Sequence, residues 1–324
     1  MAPLSENKVP PAAQPRPGDY SFDLDAALDA VVGLHSLVPA DAFTAQTLGT
    51  ERAGNGVVID KGLVLTIGYL IMEAETVWIH RNEGGAVEGH VLGFDYESGF
   101  GLVQALGRLD LPPLALGASR DAEIGSRVIT GGAGGRAHSL AGNVIAREPF
   151  AGYWEYALDE AIFVAPAHPN WGGTALISEH GKLIGVGSLQ LEGASEGKAA
   201  QHVNMMVPTD LLKPVLADLK AYGRPNKPPR PWLGLYAMEI DDHVVVSGIA
   251  AKGPAAQAEL KTGDVVLAVK GEKVTTLLAF YRKLWALGTA GVDVPLTLHS
   301  RGVTFDVTLK STDRAKMMRG PKLH

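Results

Sequence analysis

The feature that most constrains this fold is a long series of short apolar segments separated by turn-forming residues. Ten such segments lie between residues 54 and 191, among them GVVID, TVWIH, GLVQAL, TALIS and KLIGVGSLQL. Each has the length of a β-strand, and glycine, asparagine or aspartate separates it from the next, a pattern typical of antiparallel barrels and sandwiches. With 39 glycines and 20 prolines, the chain is poorly suited to a helical bundle.

Length and composition limit the remaining classes. The 324 residues indicate about two domains, and 46% hydrophobic residues exclude general disorder. A formal net charge of −6 makes the chain a poor candidate for nucleic-acid binding. The absence of cysteine excludes disulfides, thiolate nucleophiles and cysteine–zinc sites. Neither a membrane span nor a secretory leader is visible, which favours the cytoplasm; the periplasm stays an alternative for a chain that has lost its leader.

Shifts in composition predict the domain boundaries. We expect a proline-rich disordered arm over residues 1–20, a β-rich domain over 21–219 and a proline-rich linker over 220–231. A compact second domain follows over 232–310, and a flexible basic tail over 311–324. Helices are predicted near residues 208–219 and 276–287.

The second domain carries the clearer signal. Its WLGL tetrapeptide, the stretch KGPAAQAELKTGDVVLAVKGEKV and two paired terminal strands resemble a PDZ domain of the type found in HtrA (DegP-like) proteases. The resemblance implies a β-sandwich-like fold with one or two helices. Glu259 departs from the pattern, because the family has glycine there, and this puts the local turn in question.

The same resemblance implies a peptide-binding groove. The loop before the first strand would present backbone N–H groups to a peptide's terminal carboxylate, and the peptide would add as a strand facing the helix. The implied residues are Trp232, Leu233, Gly234 and Leu235 in the loop and Leu277, Phe280 and Leu284 on the helix. The alternative is that WLGL is only a buried strand start and that the groove is closed.

The first domain resembles the chymotrypsin-like protease domain of HtrA proteins. Three windows carry this resemblance: GNGVVIDKGLVLTIGYLIMEAETVWIH, HVLGFDYESGFGLVQAL and APAHPNWGGTALISEHGKLIGVGSLQL. The expected fold is therefore mainly β, a chymotrypsin-like double β-barrel followed by a PDZ domain. The family's catalytic residues do not carry over, because Tyr69 stands at the histidine position, Gly99 at the aspartate position and Trp171 at the serine position.

Each replacement removes a chemical requirement of the triad. A phenol is protonated at neutral pH and cannot act as the base, glycine cannot orient a base, and indole has no nucleophilic oxygen. A relocated site is the alternative, with Ser98, Ser188 and His168 as its weak candidates. Ser98 lies beside the position of the family's aspartate, whereas the ordinary interpretations of Ser188 and His168 are a backbone-paired strand residue and a turn residue.

Other chemistry has little support in the sequence. TGGAGGR, at residues 130–136, lacks the spacing of a phosphate-binding loop, and the ten histidines form no HExxH pair. We therefore expect no cofactor and no metal. The aromatic residues of FAGYWEYAL, at 150–158, are expected to pack their loop against the barrel; a recognition ledge is the alternative.

These observations lead to one hypothesis and two alternatives. The leading hypothesis is an inactive HtrA-like pseudoprotease that binds peptide C-termini or exposed apolar protein segments through its PDZ domain. The first alternative is an active serine endopeptidase with a relocated site. The second is a regulatory subunit of an active HtrA oligomer. The assemblies considered are a homo-oligomer, such as a trimer, and association with an active paralogue.

Overall fold

The computed structural model describes residues 8–193 and 201–319, which form two compact units. The described part of the first unit runs to Glu148 and from Glu160 to Pro225. The second unit contains Asn226–Arg319 together with a separate segment, Pro149–Asp159. The mainly β architecture predicted from the sequence is confirmed.

The first barrel of unit 1 is closed by six antiparallel strands in the order β1-β2-β3-β6-β5-β4. Its strands are β1 Val31–Leu37, β2 Glu51–Asp60, β3 Leu63–Ile67, β4 Thr76–His80, β5 Ala86–Phe94 and β6 Phe100–Ala105. The apolar segments of the sequence fill its interior, because all five residues of β3 are buried. Closure leaves no free sheet edge.

The second barrel is closed in the order β10-β11-β12-β9-β8-β7. Its strands are β7 Arg127–Gly131, β8 Ser139–Gly152, β9 Tyr156–Ala165, β10 Ala175–Ser178, β11 Leu183–Gly193 and β12 Gln201–Pro208. Strands β8 and β9 extend past the boundary of unit 1, so that the turn between them belongs to unit 2. Short helices complete the unit: α1 Leu24–Asp29, α2 Ala45–Leu48 and α3 Leu216–Tyr222.

The second unit is a sheet with the strand order β13-β14-β15-β17-β18, and β16 pairs with β15. Its elements are β13 Leu235–Ile240, β14 His243–Ile249, α4 Pro254–Gln257, β15 Val265–Val269, β16 Glu272–Lys273, α5 Leu277–Ala286, β17 Asp293–Ser300 and β18 Val303–Lys310. Helix α5 begins after Thr276, whose hydroxyl accepts a hydrogen bond from the Ala279 amide, as an N-cap does. Its apolar face is buried in the core of the unit.

The structure differs from the sequence-based expectations at both ends of the chain. Residues 1–7 and 320–324 lie outside the described residues. Within the expected arm, Val9 is buried and its amide donates to Ala137 O at 2.9 Å, so that an apolar contact fixes this segment. Within the expected tail, Thr312 pairs with Trp232 and Ser311 is buried.

Three smaller differences have local causes. The helix expected at residues 208–219 begins only at Leu216, because Pro214 interrupts the helical hydrogen bonding, and it extends to Tyr222 into the expected linker. Glu259 keeps a left-handed backbone, with φ 57°, so the turn survives without the family's glycine. Within the described residues, no helix is long and apolar enough to cross a bilayer.

Candidate functional site

Tyr69, at the former base position, is fixed by hydrogen bonds inside unit 1. It lies on a 3-10 turn, Gly68–Leu70, directly after β3. Its hydroxyl donates to the backbone oxygen of Ser188 at 2.8 Å and also bonds the Trp171 side chain, whose indole N–H is a donor only. Burial raises the pKa of Tyr69 above its ordinary value. The phenol therefore stays protonated and cannot take a proton from a nucleophile.

Gly99, at the former aspartate position, belongs to a tight turn. Its φ is 84°, its amide donates to Asp95 O at 2.8 Å, and its carbonyl accepts from the Gly68 amide at 2.7 Å. Ser98, the neighbouring candidate nucleophile, donates its hydroxyl to Asp95 Oδ2 at 2.7 Å and is buried. The hydrogen bonds of Gly99 and Ser98 therefore stabilise this turn.

Trp171 replaces the nucleophile in a loop that is crowded against the first barrel. The Asn55 side-chain amide donates to Asn170 O at 2.8 Å and to Gly172 O at 3.0 Å. A Cβ at Gly173, where φ is 76°, would lie 1.8 Å from Asn55 O. The loop is thus held in place without any catalytic group.

The oxyanion hole is incomplete as well. In trypsin-like enzymes, the amides of the nucleophile and of the residue two positions before it bind the oxyanion. The residue two positions before Trp171 is Pro169, which has no backbone N–H. Sequence reasoning missed Pro169, although the signal was available in AHPNWGG.

The candidates for a relocated site are not brought together. His168 is buried, its Nδ1 accepts from the Asn170 amide at 3.1 Å, and its Nε2 lies 2.9 Å from His138 O. With Nδ1 as acceptor, Nε2 must carry the proton that is donated to the carbonyl. Burial lowers the pKa of His168, which keeps it neutral. Both ring nitrogens of His168 therefore form hydrogen bonds with backbone groups. Ser188 contacts Tyr69 through its backbone oxygen, which accepts from the Tyr69 hydroxyl.

The predicted carboxylate loop in unit 2 does bind a carboxylate, and that carboxylate is the side chain of Glu155. The Gly234 amide donates to Glu155 Oε1 at 2.7 Å and the Leu235 amide at 2.9 Å. The Leu233 amide lies 3.2 Å from Oε1 and 3.1 Å from Oε2. Trp232 does not take part, because its amide donates to Thr312 O at 3.0 Å.

A neighbouring hydroxyl and backbone pairing hold the segment that carries Glu155. The Ala237 amide, on β13, donates to Tyr153 O at 2.9 Å. The Tyr281 hydroxyl, on α5, accepts from the Glu155 amide at 3.1 Å and donates to Gly152 O at 2.9 Å. Sequence reasoning missed both Glu155 and Tyr281.

The other residues proposed for the groove lie in the core of unit 2. Leu277, Phe280 and Leu284 are buried in one cluster, against which Ala151 and Ala157 also pack. The aromatic residues of 150–158 were expected to pack on the barrel. Tyr153 instead contacts Tyr236 of β13, with ring centroids 6.0 Å apart.

The buried position of Glu155 changes the acidity of its carboxyl group. Burial raises the pKa of Glu155 from 4.5 to about 7, and the surrounding amides and the charge of Arg314 offset part of this effect.

Within residues 8–193 and 201–319, His, Asp and Glu form no group of three that would hold a metal ion.

Comparisons with known proteins agree with these two units. Residues 54–186 match the family model described as a trypsin-like peptidase domain, and residues 231–310 match that of a PDZ domain. A Salmonella typhimurium protein named serine endoprotease DegS is 22% identical over 335 residues, covering 94% of this chain and 92% of its own. A Pseudomonas fluorescens protein named probable periplasmic serine endoprotease DegP-like is 26% identical over 242 residues, 69% of this chain. The match spans about half, 48%, of that relative's length.

Solved structures give the same fold. The HtrA-type protease AlgW with a decapeptide has a TM-score of 0.53 at 18% identity, covering 93% of this chain and 100% of its own. The serine endoprotease from Yersinia pestis has a TM-score of 0.52 at 22% identity, covering 90% of this chain and 98% of its own. The periplasmic relatives lend no support to the cytoplasmic expectation.

Proposed function

Because this chain is an HtrA-family protein, with a trypsin-like peptidase domain followed by a PDZ domain, we propose that it is a catalytically silent member that binds peptides. The observation that carries the proposal is the convergence of three backbone amides on one carboxylate at 2.7–3.2 Å. A loop built in this way recognises a free peptide C-terminus, and β13 is the strand beside which the peptide would add, in the place where Ala237 now pairs with Tyr153 O.

The inactive part of the proposal depends on the former catalytic positions. Tyr69 is a protonated phenol engaged with Ser188 O, Trp171 has no nucleophilic oxygen, and Pro169 offers no oxyanion amide. Loss of a triad serine or histidine alone removes most of the side-chain contribution, and the remaining catalysis depends on the oxyanion hole and binding. Here the oxyanion hole is also impaired, so we expect no turnover.

Hydrolysis of casein and of an activated ester, with trypsin as positive control, tests this part. We expect no product above the buffer rate and no labelling by a fluorophosphonate. Turnover that His168→Ala abolishes would overturn the proposal in favour of a relocated site. The contacts of His168 with His138 O and the Asn170 amide argue against that outcome.

Titration with peptides tests the binding part. Free-carboxylate peptides should bind, and C-terminal amidation should weaken binding by about tenfold or more, because an amide loses the charge-assisted hydrogen bonds. Gly234→Ala should weaken binding, since φ is 75° and the Cβ would lie 3.0 Å from the Trp232 ring. Gly271→Ala is the matched control, with φ 78° and nothing within 4 Å. Indifference to amidation would contradict this binding mode.

The proposed partners and assembly can each be measured. Peptide C-termini are the partners that the carboxylate loop supports best, and exposed apolar segments are the broader class. Light scattering after size exclusion, with the chain alone and with an active paralogue, separates a monomeric binding protein from a trimer or a regulatory subunit.

A further inference from the structure

The carboxylate loop of unit 2 is already filled by the chain itself. All three amides of Leu233, Gly234 and Leu235 donate to the carboxylate of Glu155. Glu155 is buried, so its carboxylate is withdrawn from water together with the amides that it accepts from. A peptide carboxylate would need the same amides, and the two carboxylates cannot bind at once.

The backbone beside Glu155 also takes the place of a peptide strand. The Ala237 amide lies two residues beyond Leu235, and it donates to Tyr153 O, which lies two residues before Glu155. This spacing is what strand addition beside β13 requires, because alternate residues of a strand point their backbone groups to the same neighbour. The segment therefore copies both parts of peptide recognition, the terminal carboxylate and the added strand.

Independent features hold the segment in this place. Glu155 takes φ 56°, a left-handed conformation that residues other than glycine rarely adopt and that persists only where the surroundings fix it. The Tyr281 hydroxyl bonds both ends of the turn, at the Glu155 amide and at Gly152 O. Tyr153 packs on Tyr236 of the strand that it joins.

We propose that the turn of residues 152–155 is an internal ligand of the PDZ groove, which an outside peptide must displace before it can bind. The inference rests on the proposed peptide-binding function and adds its regulation. The outside ligand is a peptide with a free C-terminal carboxylate and an aromatic residue two positions before its end, as Tyr153 stands before Glu155. Occupation by the turn lowers the apparent affinity by the fraction of molecules in which the groove is open.

The experiment compares full-length variants against one fluorescent peptide. The probe is PFAGYWV with a free carboxylate, in which a terminal valine carboxylate replaces the Glu155 side chain; its C-terminal amide is the control. Glu155→Ala should bind the probe at least about tenfold more tightly than the unmodified chain, because the open fraction rises. Glu148→Ala, an exposed glutamate of β8, should leave the affinity unchanged.

A second variant and a second measurement guard against misfolding. Tyr281→Phe keeps Glu155 but removes the hydroxyl that bonds the turn, and should raise the affinity by a smaller factor. Amide hydrogen exchange at Leu233, Gly234 and Leu235 measures, without any peptide, whether Glu155 occupies the carboxylate loop. Exchange should be faster in Glu155→Ala than in Glu148→Ala.

The outcomes separate the two proposals. Equal affinity of the unmodified chain and of Glu155→Ala for the probe would overturn the internal ligand while keeping peptide binding. If no chain binds the probe, the peptide-binding function fails for it, and faster exchange of the three amides in Glu155→Ala would still support the internal contact. If the three amides exchange no faster in Glu155→Ala than in Glu148→Ala, the inference is overturned whatever the peptide result.

Discussion

Raising the pH should release the turn that carries Glu155 and strengthen peptide binding. Burial raises the pKa of Glu155 from 4.5 to about 7 in the inserted position. The groups that face it are the amides of the carboxylate loop, the positive charge of Arg314 and the Tyr281 hydroxyl. Burial also raises the pKa of Tyr281, so this phenol stays protonated and does not contribute to the titration.

The sign follows from proton binding in the two states. An opened turn places the Glu155 carboxyl in water, where its pKa returns to 4.5. Between that pH and about 7, the inserted state binds more protons, so insertion is fully favoured below pH 4.5 and loses this contribution as the pH rises through the higher pKa. Two-state titration gives a roughly 70-fold larger opening constant at pH 8 than at pH 5, and roughly tenfold if the shift is one unit smaller.

Fluorescence anisotropy of the PFAGYWV probe from pH 5 to 8 measures this effect. The affinity of the unmodified chain should rise by about tenfold or more, as long as the open form is the minority. Glu155→Gln is the matched reference, because it keeps the side-chain size and an acceptor oxygen but cannot titrate. The probe's own carboxyl titrates alike with both proteins, so the ratio of affinities isolates Glu155. A ratio that stays within about twofold across this range would refute the reasoning.

Three further predictions concern unit 1. Gly173→Ala should lower the free energy of unfolding by about 1–3 kcal/mol more than Gly135→Ala in urea denaturation, because both glycines are left-handed but only the first Cβ would meet a neighbour, Asn55 O at 1.8 Å. Arg52→Met should lower the free energy of unfolding by about 3–5 kcal/mol, because it leaves the buried Glu73 without the positive charge of Arg52 and removes the donor to Tyr69 O and Met72 O; thermal stability equal to that of the unmodified chain would contradict this. Restoring the triad with Tyr69→His, Gly99→Asp and Trp171→Ser should give at least about 10²-fold less ester hydrolysis than the same variant with Pro169→Gly, because one oxyanion donor is still missing; equal rates would exclude a role for Pro169.

The barrel strands and the PDZ unit were predictable because their signals are local. Each apolar segment such as Leu63–Ile67 is short, bounded by turn residues and buried. Tyr69, Gly99 and Trp171 were assigned to the triad positions through the resemblance of their flanking segments to HtrA proteases, which the sequence alone provides. Pro169 was readable in the same motif, because a proline lacks the amide whatever its surroundings.

The contact between Glu155 and the carboxylate loop could not be read in this way. It joins residues 78 to 80 positions apart, and no local pattern links them. The sequence around Glu155 reads as an aromatic turn of the second barrel, whereas the turn groups with the PDZ unit. Tyr281 was missed for a related reason, because its apolar neighbours on α5 defined the buried face and its hydroxyl found partners only in the distant turn.

The two glycines that follow Trp171 have a structural reason to be present, which bears on how the residues at the triad positions are interpreted. A Cβ at Gly172 would lie 2.7 Å from the Tyr69 hydroxyl, and one at Gly173 would collide with Asn55 O. Both glycines therefore fit the close packing of this loop, in which the Tyr69 phenol joins Trp171 to Ser188 O. The motif can survive for packing alone, so its presence gives no evidence of hydrolysis. The groups that would perform hydrolysis are absent from the same few positions, whereas the amides that bind a carboxylate are complete.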